Sequence, residues 1–183
     1  MKKIEIEIPY GKSAKWVNGV LTLVDNKSKD ITVRIKNFHD AYCELGYEHP
    51  FVKSYEKYVN IARGEEADVI AYLKLRIINA ALNEGWKPTF EESERRYYSS
   101  FYLCTQSEYT KLSENDKRYC VPVRSSINTY AYASTVFAVA GGAGSYSSSF
   151  FDVRLSLRTK ELAEYCGKQF IDIWADFLFG NKK

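Results

Sequence analysis

The sequence predicts an α+β fold: an antiparallel sheet packed against amphipathic helices, with a small N-terminal β-meander. Three observations carry this expectation. Between residues 30 and 85 the apolar positions recur at steps of three and four, the period of a helix. From 90 to 158 they alternate, the period of a strand, and from 159 to 179 the helical period returns. Strands and helices therefore occupy separate stretches instead of repeating βαβ units, which favours an antiparallel sheet. At 183 residues the parts fit one domain: 1–25 the meander, 30–85 helical, 90–158 the sheet and 159–179 a closing helix.

Taken in order, Ile4, Ile6 and Ile8 alternate with Lys3, Glu5 and Glu7, the pattern of a half-buried strand, and Pro9-Tyr10-Gly11 ends it. Residues 16–24 read as strand, turn, strand, because Asn18-Gly19 tolerates the positive φ angles of a type I′ turn. Asp30 can cap a helix with Ile31, Ile35, Phe38, Tyr42 and Leu45 on one face, and Gly46 stops it. Pro50 suits a first helical turn, continued by Phe51, Tyr55, Tyr58, Val59 and Ala62 to Gly64. The strongest helix follows. Glu65, Glu66 and Asp68 sit at its positive end, Ile70, Leu73, Ile77, Ala81 and Leu82 line one side, and Gly85 closes it.

After Trp86-Lys87-Pro88 the strands begin. Residues 97–104 alternate, and 119–123 form a short strand whose Pro122 marks a sheet edge. Residues 127–140 make a long strand, and Gly141-Gly142-Ala143-Gly144 reads as a turn. Phe151, Val153, Leu155 and Leu157 point one way, with Asp152, Arg154, Ser156 and Arg158 opposite. Thr159 caps a last helix bearing Leu162, Cys166, Phe170, Ile173 and Phe177. Gly167 interrupts that helix at a cost of about 1 kcal/mol relative to Ala. Close approach of the helix to the sheet, over Val153 or Leu155, explains it.

Composition narrows the function. With 45% hydrophobic and 27% charged residues the chain has the profile of a soluble globular protein, and no run is long enough to span a bilayer. A net charge of +3, without a block or stripe of Lys and Arg, does not mark a nucleic-acid binder. Met1-Lys2-Lys3-Ile4-Glu5 lacks an apolar h-region, so a cytoplasmic setting and no membrane partner are expected. Cys43, Cys104, Cys120 and Cys166 show no C-x-x-C spacing and read as reduced thiols; Cys104 and Cys120 are the pair placed to approach across strands.

Two segments, residues 80–88 (AALNEGWKP) and 160–177 (KELAEYCGKQFIDIWADF), resemble a family of uncharacterised proteins encoded by gut anaerobes and their phages. The N-terminal meander and first helix are similar as well, so the resemblance covers most of the chain. The family carries a Tyr-Tyr-Pro-Trp-Phe run where this chain has Tyr97-Tyr98-Ser99-Ser100-Phe101. The resemblance implies a phage or mobile-element accessory protein in a bacterial host. It implies no activity, cofactor or catalytic residue.

Chemistry-bearing residues are sparse. His39 and Cys43 stand one helical turn apart, a spacing that can align two metal ligands, but nothing specifies the other two. Asp172 and Asp176 are likewise one turn apart, without a partner base, and read as a solvated helix face. The Gly-rich stretch at 141–144 lacks the Gly-Lys-Ser/Thr ending of a phosphate-binding loop. No catalytic, metal or cofactor site is assigned.

One constellation stands out. Arg95, Arg96, Tyr98, Tyr102, Tyr130 and Arg154 combine basic and aromatic character, and single-stranded nucleic acid is bound by stacking bases on rings beside phosphate-neutralising cations. If Tyr97, Phe101 and Leu103 face the core, alternation sends Tyr98, Ser100 and Tyr102 to the other face. The competing view places the rings in cross-strand pairs filling a sheet–helix core. The sequence reading is a non-enzymatic binding protein using this Tyr/Arg surface for a protein, a nucleotide-type ligand or single-stranded nucleic acid. A virion structural protein and a small enzyme are the other classes.

Overall fold

The computed structural model describes residues 6–9, 11–25, 28–61, 66–89, 91, 93–121, 133–144 and 153–179. Strands β1 (Lys12–Val17) and β2 (Val20–Asp25) form one hairpin. Four helices follow: α1 (Ile31–Arg34), α2 (Phe38–Leu45), α3 (Pro50–Val59) and α4 (Ala67–Leu82). Strand β3 (Arg95–Thr105) leads through α5 (Gln106–Lys111) and α6 (Glu114–Lys117) to β4 (Cys120–Val121). Then come β5 (Ala133–Gly144), a 3-10 turn at Val153–Leu155, α7 (Lys160–Gln169) and α8 (Ile171–Phe179). The fold is α+β, with separate antiparallel sheets β1-β2 and β3-β5-β4.

α4 organises the core. Leu75, Ile77, Ile78, Ala81 and Leu82 are all buried, so its second half is enclosed beyond a single stripe, with Arg76 and Ala80 half-buried on the remaining side. α2 and α3 pack on one flank of α4 and α8 on another, while α7 lies between α4 and the β3-β5 pair. Leu155, Leu157, Leu162, Cys166, Phe170 and Trp174 complete the cluster, with Phe101 against Trp174 at 5.2 Å between ring centroids. Some polar groups in this core are partnered, whereas Asn79 Oδ1 and Trp174 Nε1 are buried without a hydrogen-bond partner among the described residues. Asn79 Nδ2 donates to the Leu75 carbonyl at 2.9 Å, and Ser99 Oγ donates to the Ala163 carbonyl at 2.8 Å, tying β3 to α7. Burial pushes the Cys166 thiol up to about 12, against the opposing pull of the neighbouring Trp174, Ser99 and Asn79 side chains.

The expected helix across 31–45 is two helices. Asn37 accepts from Asp40 N–H while the Asp40 carboxylate accepts from the N–H groups of Lys36 and Asn37. This capping box starts a new helix and outweighs the continuous apolar period. Tyr165 locks the junction, its hydroxyl lying 2.6 Å from the Ile35 carbonyl and 2.9 Å from that of Thr32. Asp30 does cap α1 and Gly46 ends α2 at φ 78°. The closing helix is also double, broken at Phe170 (φ −115°, ψ 28°), with Thr159 capping its start. α3 stops at Val59, and the expected continuation through Ala62 to Gly64 lies outside the described residues.

Other departures concern strands. The hairpin has its type I′ turn at Asn18 (φ 50°) and Gly19 (φ 78°), but residues 6–9 form no strand and Ile6 and Ile8 are exposed. Ile4 lies outside the described residues, so among those described the meander is a two-stranded hairpin. Gly141, Gly142 and Gly144 are not a turn. They belong to β5, opposite Tyr98, Tyr97 and Arg95. Residues 153–155 are a 3-10 turn instead of a strand, and only Leu157 bridges to Tyr97. Between the strands, α5 and α6 form without an apolar period in the sequence to announce them; Ser113 caps α6 by accepting from Asp116 N–H. The short 120–121 strand does sit at a sheet edge, as expected.

Candidate functional site

Alternation along β3 separates the residues of the predicted Tyr/Arg surface. Tyr97 and Phe101 pack on the core and Ser99 bonds to α7, so the odd positions face the helices. Arg96, Tyr98 and Ser100 therefore take the opposite face, and Arg95 parts from Arg96. Arg95 is exposed and Tyr98 half-buried, but Arg96 is only 7% exposed. Arg96 is thus set back from the open surface on which Arg95 lies. The Tyr102 side chain and all of Tyr130 lie outside the described residues. Arg154 is exposed on the 3-10 turn, with its guanidinium 5.6 Å from the Tyr72 ring of α4. The tertiary structure thus sends Arg154 to a helical neighbour that the sequence did not connect with it.

Groups capable of chemistry do not converge among the described residues. His39 Nε2 and Cys43 Sγ lie 3.4 Å apart on α2, confirming the one-turn spacing as a contact. No set of three His, Cys, Asp or Glu side chains that could hold a metal ion occurs among the described residues. Cys104 and Cys120 sit on β3 and β4, with β5 between them. Two strand spacings amount to roughly 9.5 Å, beyond the roughly 7 Å Cα separation that a disulfide spans. Asp172 is exposed and Asp176 borders a shallow cleft of about 200 Å³ between α4 and α8, lined also by Ile70, Lys74 and Ile173.

The richest polar cluster joins α1, α2, the end of α4 and the 156–158 segment. Arg34 Nη2 lies 2.6 Å from Glu84 and 3.3 Å from Glu44, and Arg158 pairs with the other Glu84 oxygen. Hydrogen bonding from Arg34, then from Arg158, holds the Glu84 carboxyl below the usual carboxylate range despite opposing desolvation. Next to it, Asn83 Nδ2 donates to the Ser156 carbonyl at 2.9 Å and Asn83 Oδ1 accepts from Arg158 N–H at 3.1 Å. One side chain thereby completes the backbone of the segment that bridges to β3. Arg34, Glu44, Leu45, Ala80, Glu84 and Gly85 line a cleft of about 330 Å³ at this place. The sequence argument missed the cluster because its members lie far apart in sequence, although Asn83 and Glu84 belong to the 80–88 segment singled out by resemblance. Two arginines on two glutamates neutralise each other, and the cluster reads as a structural tie.

The N-terminal hairpin is the least self-satisfied part of the molecule. Its register pairs Trp16 with Leu21 and Ala14 with Leu23 on one face, and Val17 with Val20 on the other. Trp16 is 73% exposed, and Val17, Val20, Leu21 and Leu23 are exposed with it. Neither strand packs broadly on another described element. Clustered aliphatic side chains around an open Trp are characteristic of contact surfaces, whereas scattered single ones need no explanation. Among the described residues, both outer edges of the two-stranded sheet lack a neighbouring strand.

No helix among the described residues is long and apolar enough to cross a membrane. Comparison with protein-family models, curated proteins and solved structures gave no match.

Proposed function

We propose that the chain is a non-enzymatic interaction protein whose N-terminal hairpin is the contact element for a protein partner. The observation that carries this reading is the exposed Trp16-Leu21-Leu23 face, raised on a hairpin that contributes little to the core. Two-stranded hairpins are marginal by themselves in water, so a partner that covers this face would also stabilise it. Trp is the residue most enriched among interface anchors, and burying each large apolar side chain is worth about 1.5–3 kcal/mol. The resemblance of residues 80–88 and 160–177 to proteins of gut anaerobes and their phages supports a phage or mobile-element setting in the bacterial cytoplasm.

The test is a Trp16→Ser, Leu21→Ser double variant compared with wild type by cross-linking in the producing cell, alongside thermal unfolding. A defined cross-linked species should disappear while Tm stays within about 2 °C, the shift expected for roughly 0.5 kcal/mol or less. An unchanged cross-linking pattern would overturn the reading. So would a large fall in Tm, because the face would then belong to the fold.

A further inference from the structure

The two outer edges of the hairpin offer different terms to a further strand. β1 carries Lys12 and Lys15, both exposed, and lysine on an edge strand discourages pairing with another chain. β2 carries Val20-Leu21-Thr22-Leu23-Val24, five residues without a charge, a Gly or a Pro, and the first four are exposed. Among the described residues, no strand lies beside it other than β1. The same five residues read identically in both directions about Thr22.

The turn fixes which backbone groups face outward. A type I′ turn over Asn18 and Gly19 joins the Val17 carbonyl to the Val20 N–H, so Val17 and Val20 form a hydrogen-bonded pair. Such pairs alternate along an antiparallel ladder. Thr22 and Val24 therefore also turn their N–H and C=O groups to β1, while those of Leu21 and Leu23 point to the outer edge. A second β2, laid antiparallel about a two-fold axis at Thr22, meets these groups in register. Leu21 opposes Leu23 of the second copy and exchanges both backbone hydrogen bonds with it, and the symmetry repeats the exchange. Val20 then opposes Val24, and Thr22 opposes itself. Apolar residues meet apolar ones, Thr meets Thr, and Asp25 falls opposite Gly19, so no like charges face each other. β1 lacks this symmetry, and pairing it with its own copy about Lys15 would set lysine against lysine.

We propose that two copies of this chain join β2 to β2 about Thr22, forming a four-stranded antiparallel sheet in the order β1-β2-β2-β1. Resting on the hairpin as the contact element, this pairing names its partner as a second copy of the chain. It also relieves the weakness of the hairpin, since two strands alone are marginal and a wider sheet with an apolar face is not. The two-fold axis stands perpendicular to the sheet and leaves its faces unmixed, so Trp16, Leu21 and Leu23 of both copies lie on one side. One short strand from each copy makes a contact at the small end of protein interfaces, so the dimer is reversible and concentration-dependent.

The experiment follows the full chain by sedimentation velocity from about 10 µM to about 1 mM, the range in which an interface this small assembles. A shift from monomer to dimer is expected. Thr22→Glu meets Lys15 within its own hairpin but a like charge across the two-fold axis, and should weaken dimerisation at least about fivefold without lowering Tm. Thr22→Cys reports the register. Under oxidation it should give a disulfide-linked dimer, because facing residues of a non-hydrogen-bonded pair stand about 4.5 Å apart at Cα. Val20→Cys should not, because its two copies lie roughly 13 Å apart along the strands. A monomer throughout, undiminished association of Thr22→Glu, or equal cross-linking of the two cysteine variants would overturn the proposal. A chain that stays monomeric, yet cross-links in the cell to a different protein through Trp16 and Leu21, would overturn it and leave the hairpin as the contact element.

Discussion

Trp174 and Trp16 are the same residue in opposite surroundings. Trp174 is 1% exposed, wedged between Phe101 and Phe177 where α8 meets the core, whereas Trp16 is 73% exposed on the hairpin. The helical body surrounds its large side chains with groups from α4, α7, α8 and β3, so each is held by several elements at once. The hairpin holds Trp16 by one cross-strand neighbour, Leu21, and by the register of its own two strands. Hydrophobicity alone therefore does not say what an apolar residue is for. The number of elements that close around it does.

That contrast can be broken or sharpened by substitution, starting where the effect is largest. Trp174→Ala should cost about 3–5 kcal/mol in urea unfolding, the usual loss for a buried aromatic. A loss under about 1 kcal/mol would mean that the α8 core is loosely packed. Asn83→Ala should cost about 1–3 kcal/mol, because the Ser156 carbonyl and Arg158 N–H would lose their partner in a buried place. Differential hydrogen exchange should place the damage at residues 155–158 and at Tyr97, leaving the hairpin amides unchanged.

Glu84→Gln is expected to cost less, about 0.5–1 kcal/mol, since the pairs with Arg34 and Arg158 are partly solvated. Its pH dependence has a definite sign. The folded-state pKa of Glu84 lies below the ordinary value of 4.5, so its contribution is complete above that pH and is lost as pH falls through the folded value. Wild type and Glu84→Gln should therefore differ at pH 7 and converge in strong acid; a difference that persists there would assign the effect to packing. The smallest effect belongs to the hairpin. Trp16→Ser alone should change unfolding free energy by no more than about 0.5 kcal/mol, as for an exposed side chain free of other duties. A loss of several kcal/mol would show that the hairpin is part of the body after all.

Local signals in the chain were legible wherever a short-range interaction decides the outcome. Asp30, Thr159, Gly46 and the Asn18-Gly19 turn act within a few residues, and each does in the structure what its type implies. The apolar period overreached where a cap intervened: the Asn37–Asp40 box and the irregular Phe170 backbone divide what reads as single helices. Glycine misled in the opposite direction. A run of three glycines in four residues signals a turn locally, yet pairing with residues 95–98 draws it into β5. For the predicted binding surface, alternation correctly parted Tyr97 and Phe101 from Tyr98, but nothing in sequence could reveal that Arg96 is enclosed or that Arg154 lies against Tyr72.

The sequence by itself determined the fold class, the caps and turns, and which strand residues share a face, because these follow from backbone geometry over a few residues. Tertiary structure decided the rest. It chose which helix would be most enclosed, since that depends on how many elements converge on α4. It also decided which arginines are neutralised. Arg34 finds Glu84 fifty positions away in the chain, while Arg76 finds only rings among the described residues, and charge compensation across such separations is a property of packing that no local pattern encodes.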